Sequence, residues 1–262
     1  MNYLFLCLTL LIGWFSQAQS GMTVSPGKLH YYGGAGTGSS QKIKISNPTG
    51  KSLEVGVSVS DWKYDAAGSN EIVPYNSLSL SCAPWLQIMP NTFFTIEPNA
   101  TKEVEVLLNV PQNTGAEPVH TAMLFFTQLN PGDSVDEDGA AIKVAVRIGV
   151  KVYHTLNKNS GVMTIENLTA HKEDNEDRVV ELQYKNSGTI WTDGKINWSI
   201  FSYETGKTKQ VKEEDFYTLP QDVRTARMLL PSQMAKGRYA VTAQLIFDEE
   251  KAIQLAEMDI EL

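Results

Sequence analysis

The sequence predicts an all-β protein built from two immunoglobulin-like β-sandwich domains in tandem. The chain has 262 residues, which exceeds one sandwich and suits two domains of about 100 to 130 residues each. Apolar residues recur two positions apart in short runs that Gly, Pro, Asn and Asp separate, as in half-buried antiparallel strands. No amphipathic helical segment lies between the runs, although a parallel sheet would need such helices for its crossovers.

The first domain is expected at residues 22–154. About seven strand patterns in roughly 130 residues favour an immunoglobulin-type sandwich over an α/β fold. The clearest patterns are Lys42 to Ser46, Leu53 to Trp62, Thr101 to Val110, Thr121 to Leu129 and Ala141 to Tyr153.

The second domain is expected at residues 162–262. The polar segment His154 to Gly161 lies between two strand-rich regions, so it predicts the boundary. The strand patterns after this boundary again indicate a sandwich. They are Val162 to Leu168, Val179 to Tyr184, Ile196 to Tyr203, Arg227 to Leu230, Tyr239 to Phe247 and Ile253 to Ile260.

The N-terminus predicts export. Leu4 to Phe15 is an uncharged apolar run, and the small or polar residues after it suit signal peptidase, so we expect a leader at residues 1–18 that ends near Ala18. The alternative is a buried N-terminal strand or helix. No later stretch approaches the length of a membrane span, so no integral membrane segment is expected after processing.

Charge and cysteine content exclude several classes of function and of crosslink. The net charge of -8 argues against nucleic acid as a partner, because phosphate binding needs a basic face. Removal of the leader leaves Cys82 as the only cysteine. No intramolecular disulfide is therefore expected, and Cys82 is interpreted as a buried or idle thiol.

Two loops resemble ligand-binding motifs incompletely. Residues 33–40 read GGAGTGSS, but Ser39 occupies the lysine position of a phosphate-binding loop, and a strand pattern follows instead of a helix. The acidic residues Asp133, Asp136 and Asp138 suggest calcium, yet Ala145 stands where an EF-hand loop requires a carboxylate. Both are interpreted as strand connections.

No catalytic or metal-binding residues are predicted. The four histidines have no partner at zinc-ligand spacing, and the sequence contains no G-x-S-x-G nucleophile motif. We therefore expect a protein without cofactor, without metal and without enzyme activity. The histidines are His30, His120, His154 and His171.

The segment Ala141 to His154 is the most informative of the chain. Its apolar residues alternate over a length that exceeds a typical strand. Either this strand simply fills the core of its own domain, or part of it projects and offers its apolar side chains to a partner by strand addition. The alternating residues are Ile142, Val144, Val146, Ile148, Val150 and Val152.

Several segments together resemble the N-terminal domain of the PapD-type periplasmic pilus chaperones. The opening strand carries Val24 and Pro26, residues 45–48 read ISNP, residues 85–98 read WLQIMPNTFFTIEP, and residues 147–153 read RIGVKVY. The order and spacing of these segments carry the resemblance, which covers about residues 22–154. The second domain is recognisable only as a generic sandwich.

The resemblance implies a mechanism and a set of partners. In that family the last strand of the first domain lends alternating apolar residues to an incomplete pilin subunit, and a basic pair in the cleft grips the subunit's terminal carboxylate. Lys151 matches the lysine of that pair, while Pro26 stands in the place of the arginine and Lys28 is the nearest cation. An outer-membrane usher is a further partner in the family.

The sequence therefore predicts a periplasmic chaperone-like protein that binds a pilin-like or other surface subunit. The alternative is a structural or adhesive module of a cell-surface assembly, which would be located at the cell surface. An enzyme is the third hypothesis. The predicted client-binding residues are Ile142, Val144, Val146, Ile148 and Lys151.

Overall fold

The computed structural model describes residues 21–135, 139–156, 159–173, 178–248 and 252–262. The predicted leader lies outside these ranges. Asp136 and Asp138 of the acidic loop that suggests calcium also lie outside them. Within them the chain forms nineteen β-strands and one short 3-10 turn at Ala83–Trp85. None of the helical structure in the described ranges is long and apolar enough to cross a membrane.

Strands follow one another along the whole described chain. The first twelve are β1 (Thr23–Ser25), β2 (Lys28–Tyr32), β3 (Gly38–Ser46), β4 (Leu53–Tyr64), β5 (Asn70–Val73), β6 (Leu86–Met89), β7 (Phe93–Ile96), β8 (Thr101–Asn109), β9 (Val119–Gln128), β10 (Gly132–Val135), β11 (Ala141–Val144) and β12 (Arg147–Thr155). The other seven are β13 (Met163–Lys172), β14 (Arg178–Asn186), β15 (Thr192–Ser202), β16 (Lys207–Thr218), β17 (Val223–Leu229), β18 (Arg238–Phe247) and β19 (Ala252–Glu261).

The first sandwich consists of two main sheets. One has the order β1-β3-β8-β6, and the other has the order β2-β12-β9-β4-β5 with β7 also paired to β4. This is the arrangement of an immunoglobulin sandwich, in which two antiparallel sheets pack face to face. Here the four-stranded sheet faces the sheet that contains β9 and β12. Apolar side chains of both sheets fill one core, among them Ile43, Val106, Phe126 and Val152.

The opening strand of this sandwich changes sheets. β1 pairs antiparallel with β3, whereas β2 pairs parallel with β12. Pro26 lies between β1 and β2 and has no N–H to donate, so neither ladder runs through it. The change of sheet places Lys28 directly opposite Lys151.

The second sandwich packs the sheet β13-β14-β17 against the sheet β16-β15-β18-β19. Its core surrounds Trp198, which is fully buried together with Leu182, Val241 and Leu245. This order again corresponds to an immunoglobulin fold. The prediction of two immunoglobulin-like sandwiches in an all-β chain is confirmed.

The predicted single strand from Ala141 to Tyr153 is wrong, because the structure divides it into β11 and β12. The Gln128 amide donates to the Val146 carbonyl at 2.8 Å, and the Val146 amide donates to the Gln128 side-chain oxygen at 3.4 Å. A side chain thus replaces a backbone acceptor, and the ladder with β9 ends there. Beyond this point β11 pairs with β10 instead.

Strand β16 was not indicated by the sequence patterns. Most of its twelve residues are polar, and most are exposed. It lies at the edge of its sheet, beside β15 alone. Only its last residues, Phe216 and Thr218, are buried, and the solvated residues before them do not show the apolar alternation that identifies half-buried strands.

A buried asparagine performs the same task in each sandwich. Asn47 is 1% exposed and Asn186 is 0% exposed. In both, the side-chain oxygen accepts from the amide two residues ahead at 2.9 Å. The side-chain nitrogen donates to the carbonyl four residues ahead, at 2.8 Å for Lys51 and 2.9 Å for Ile190. Each asparagine thus holds the loop after its strand.

We expect Asn47→Ala and Asn186→Ala each to lower the free energy of unfolding by about 2 to 3 kcal/mol, because buried carbonyls lose their donors. Urea denaturation followed by tryptophan fluorescence measures this change. Asn113→Ala is the control, since the Asn113 side chain accepts one exposed loop amide, and a change within about 0.5 kcal/mol is expected there. Equal losses in all three variants would contradict this role.

Candidate functional site

A short hairpin projects from the first sandwich, and we call it the projecting hairpin: β10 and β11. Ile142 and Val144 on β11 are 39% and 42% exposed. β11 pairs only with β10 among the described residues, so its other edge is open. Neither residue belongs to a core cluster in the described structure. The hairpin therefore presents apolar side chains and unpaired backbone groups to solvent.

The alternating apolar row passes gradually from solvent into the core. After the exposed residues of β11, Val146 and Ile148 are half-buried and pack against the first core. Val150 and Val152 are completely buried. The C-terminal part of this segment thus fills the core of its own domain, whereas the N-terminal part is exposed, and its donation to a partner stays a prediction.

Lys151 points away from that core, because neighbouring residues of a strand face opposite sides of the sheet. Its Nζ donates a 2.8 Å hydrogen bond to the Tyr64 hydroxyl. The same nitrogen lies 4.1 Å from the centre of the Trp62 ring and 4.4 Å from that of Tyr64. These ring faces stabilise an ammonium group at a partly buried position.

Lys28 is the second cation of this site. It lies opposite Lys151 in the parallel pair of β2 and β12, and its Nζ is 4.8 Å from the centre of the Tyr217 ring in the second sandwich. Burial, and to a smaller extent the charge of Lys28, lower the pKa of Lys151 to about 8. Within the described part of the chain, neither lysine forms an ion pair with a carboxylate.

The two sandwiches meet beside this lysine pair. Trp191 stacks on His30 with 5.2 Å between ring centres and 10° between ring planes, and it also contacts Tyr153. The buried Arg224 donates to the Asp65 carbonyl at 2.6 Å and pairs with Asp222 at 2.6 Å. These contacts surround a small cavity of about 10 Å³ whose lining includes Lys28 and Asp193, and we call the region around Lys28 and Lys151 the lysine cleft.

An open groove of about 820 Å³ adjoins the lysine cleft on the second sandwich. Its charged lining comprises Asp193, Lys195, Glu213, Asp215 and Asp248, of which Lys195 and Glu213 form an ion pair at 2.6 Å. Among the described residues that line it there is no serine, cysteine or histidine. The described residues also contain no group of three or more histidine, cysteine or acidic side chains arranged to hold a metal.

The aromatic walls of the lysine cleft were not predicted from the sequence. One signal was present: Trp62 and Tyr64 occupy alternate positions of β4, out of step with its core residues Leu53 and Val55. Large aromatic residues on the outer face of a strand indicate a second packed layer. Here that layer is the second sandwich, whose Leu219 joins the same buried cluster.

Known proteins are similar to this chain in structure only. No family model and no curated protein matches the sequence. A chain from a chaperone–tip adhesin complex of CFA/I fimbriae biogenesis has 10% identity and a TM-score of 0.49, covering 90% of this chain and 98% of that one. The E. coli chaperone DraB has 12% identity, coverage of 92% and 98%, and a TM-score of 0.43.

A third solved structure is the CsuC–CsuE chaperone–tip adhesion subunit pre-assembly complex from the archaic chaperone-usher Csu pili of Acinetobacter baumannii. The matched chain has 10% identity and a TM-score of 0.47. The match covers 91% of this chain and 98% of that chain.

Proposed function

We propose that this protein is a periplasmic chaperone that binds an exported client by edge-strand donation. The observation that carries this proposal is the exposure of Ile142 and Val144 on a strand with an open edge. Exposed apolar side chains beside unpaired backbone groups are an aggregation hazard unless a partner covers them. A client with an incomplete sheet would pair with the open edge and take both side chains into its groove.

The lysine cleft supplies an anchor for the client's terminal carboxylate. Lys28 and Lys151 form no ion pair among the described residues, so their two ammonium groups would bind one carboxylate by charge-assisted hydrogen bonds, with Asp193 lining the small cavity beside Lys28. Lys28 then provides the second charge that Pro26 does not. A pair of ammonium groups is less directional than an arginine with a lysine, so this anchor would tolerate more varied termini.

The distance between the two contacts specifies the client segment. Lys151 follows Val144 by seven residues, and because the chain is interrupted between β11 and β12 they span at most roughly 23 Å. A client strand held by its terminal carboxylate in the lysine cleft would therefore need about seven residues to reach the projecting hairpin. A pilin-like subunit with an extended C-terminal strand meets this requirement.

The remaining assignments belong to the same proposal. Processing near Ala18 would deliver the protein to the periplasm, and the domains would occupy residues 22–154 and 162–262. An outer-membrane usher would receive the chaperone with its client. The competing candidate, a structural or adhesive module at the cell surface, would use the same open edge for permanent pairing. Release of the client on assembly distinguishes the chaperone from this module.

The first functional prediction concerns the projecting hairpin. We expect Ile142→Asp combined with Val144→Asp to abolish recovery of the client, because charges would enter an apolar groove. The fold should be retained, because both side chains are already exposed. Affinity purification from the native periplasm with mass spectrometry measures client recovery, and thermal unfolding measures the fold.

The matched control changes the opposite face of the same strand. Ala141→Asp combined with Lys143→Asn alters the net charge equally, and among the described residues Lys143 makes an exposed ion pair with Asp133. We expect this variant to recover the client normally. Equal client loss in both double variants, or normal recovery with the aspartates at 142 and 144, would overturn strand donation.

The second functional prediction concerns Lys151. Lys151→Met should weaken client capture at least tenfold, while the free energy of unfolding stays unchanged or rises because a desolvated charge is removed. Capture by the unmodified protein should fall as the pH rises through about 8, where Lys151 loses its proton. Lys42→Met is the control, since Lys42 is exposed and pairs with Glu103. Unchanged capture by the Lys151 variant would refute the carboxylate anchor.

A further inference from the structure

Two histidines face each other at the end of β12 farthest from the projecting hairpin. His120 on β9 and His154 on β12 are cross-strand partners in the ladder. Both are buried, with exposures of 1% and 0%. Their Nδ1 atoms are 3.4 Å apart. Neither residue takes part in the proposed client contacts, so a role for this pair is independent of the proposed function.

The other nitrogen of each ring faces a backbone carbonyl. His154 Nε2 lies 2.9 Å from the Gly33 oxygen, and His120 Nε2 lies 3.1 Å from the Thr114 oxygen. A carbonyl only accepts hydrogen bonds, so each Nε2 must carry a proton to make its contact. In a neutral ring the Nδ1 atom is then a bare acceptor. The two Nδ1 lone pairs would therefore face each other.

One additional proton is needed to complete the hydrogen bonds of this pair. Two carbonyl contacts and one contact between Nδ1 atoms need three protons, whereas two neutral imidazoles carry only two. Moving a proton from Nε2 to Nδ1 would satisfy the central contact and lose a carbonyl contact. The neutral pair therefore leaves one contact unsatisfied. This costs free energy, because a buried polar atom without a partner has lost its hydrogen bonds to water.

We propose that His120 and His154 form a buried site that binds one proton between their Nδ1 atoms. A distance of 3.4 Å suits a long shared N–H···N hydrogen bond, and the described residues offer no third ligand for a metal. The indole of Trp85 forms the remaining wall, with its ring centre 4.4 Å from that of His120 and 5.5 Å from that of His154.

The surroundings determine when the proton binds. Burial is the main cause that lowers the pKa of both histidines, and the charge of His154 further lowers the pKa of His120. Glu117, in the loop with Thr114, acts in the opposite direction on His120. Among the described residues, the other packed segments contribute the Gly33 carbonyl and the neutral Trp85 ring. A second proton would place two charges 3.4 Å apart, so the pair takes up one.

The site lies where the first sandwich passes into the linker. The Gly33 amide donates to the Thr155 carbonyl at 3.2 Å, next to the carbonyl contact of His154. In the linker, the Asn159 side chain donates to the Pro118 carbonyl at 3.5 Å. A proton shared by the two rings would thus connect His154, at the end of β12, through His120 to the loop before β9. Since the pKa values are lowered, the unfolded chain binds protons first, and stability falls as the pH drops below about 6.5.

Long-range proton–nitrogen NMR on the full chain labelled with ¹⁵N-histidine tests this proposal. At neutral pH we expect both rings as Nε2–H tautomers. On acidification both Nδ1 resonances should move together with one common midpoint below about 6.5, as a shared proton requires. His171→Gln assigns the exposed histidine and should leave this transition unchanged.

Two further measurements complete the test. In His120→Phe, the midpoint of His154 should fall by about one pH unit because the proton loses its second acceptor. If this variant does not fold, the tautomers and the common midpoint measured in the unmodified protein still test whether the two rings share one proton. An Nδ1–H tautomer at neutral pH, or separate midpoints for the two rings, would overturn the proposal. A shift of both Nδ1 resonances by equimolar Zn²⁺ would also overturn it, in favour of a metal site.

Discussion

The antiparallel ladder between β9 and β12 determines the geometry of the proposed client site and of the histidine pair. Because side chains alternate along β12, the ladder directs Val150 and Val152 into the first core and Lys151 into the lysine cleft. At one end the Gln128 side chain interrupts the ladder and frees the projecting hairpin. At the other end the same register brings two buried histidines face to face. A one-residue slip would reverse all these orientations.

The lysine cleft places a partly desolvated ammonium where packing alone would favour an apolar residue. The ring faces of Trp62 and Tyr64 support Lys151, yet burial and Lys28 still lower its pKa. Retention of an ammonium without a protein carboxylate is understandable if a ligand supplies the counter-charge. The second sandwich contributes Tyr217 and Trp191 to the lysine cleft, so both sandwiches would be required for the proposed anchor.

Much of the fold followed from the sequence because alternation and turn residues are local signals. The apolar row from Ile142 onward was recognisable for this reason. Its interruption was not, since a side chain 18 residues earlier, Gln128, replaces a backbone partner. His120 and His154 are 34 residues apart, and only the register of two strands makes them neighbours. The contact between Lys28 and Lys151 likewise required the change of sheet at Pro26.

The central claim is that a client covers the open edge of β11, and site-specific photo-crosslinking in native cells tests it most directly. A photoreactive amino acid in place of Val144 lies on the proposed client face, and one in place of Lys143 lies on the opposite face. The account predicts a crosslink to one exported protein from position 144, through a peptide near that protein's C-terminus, and little product from position 143. Equal products from both positions, or none from position 144, would contradict it.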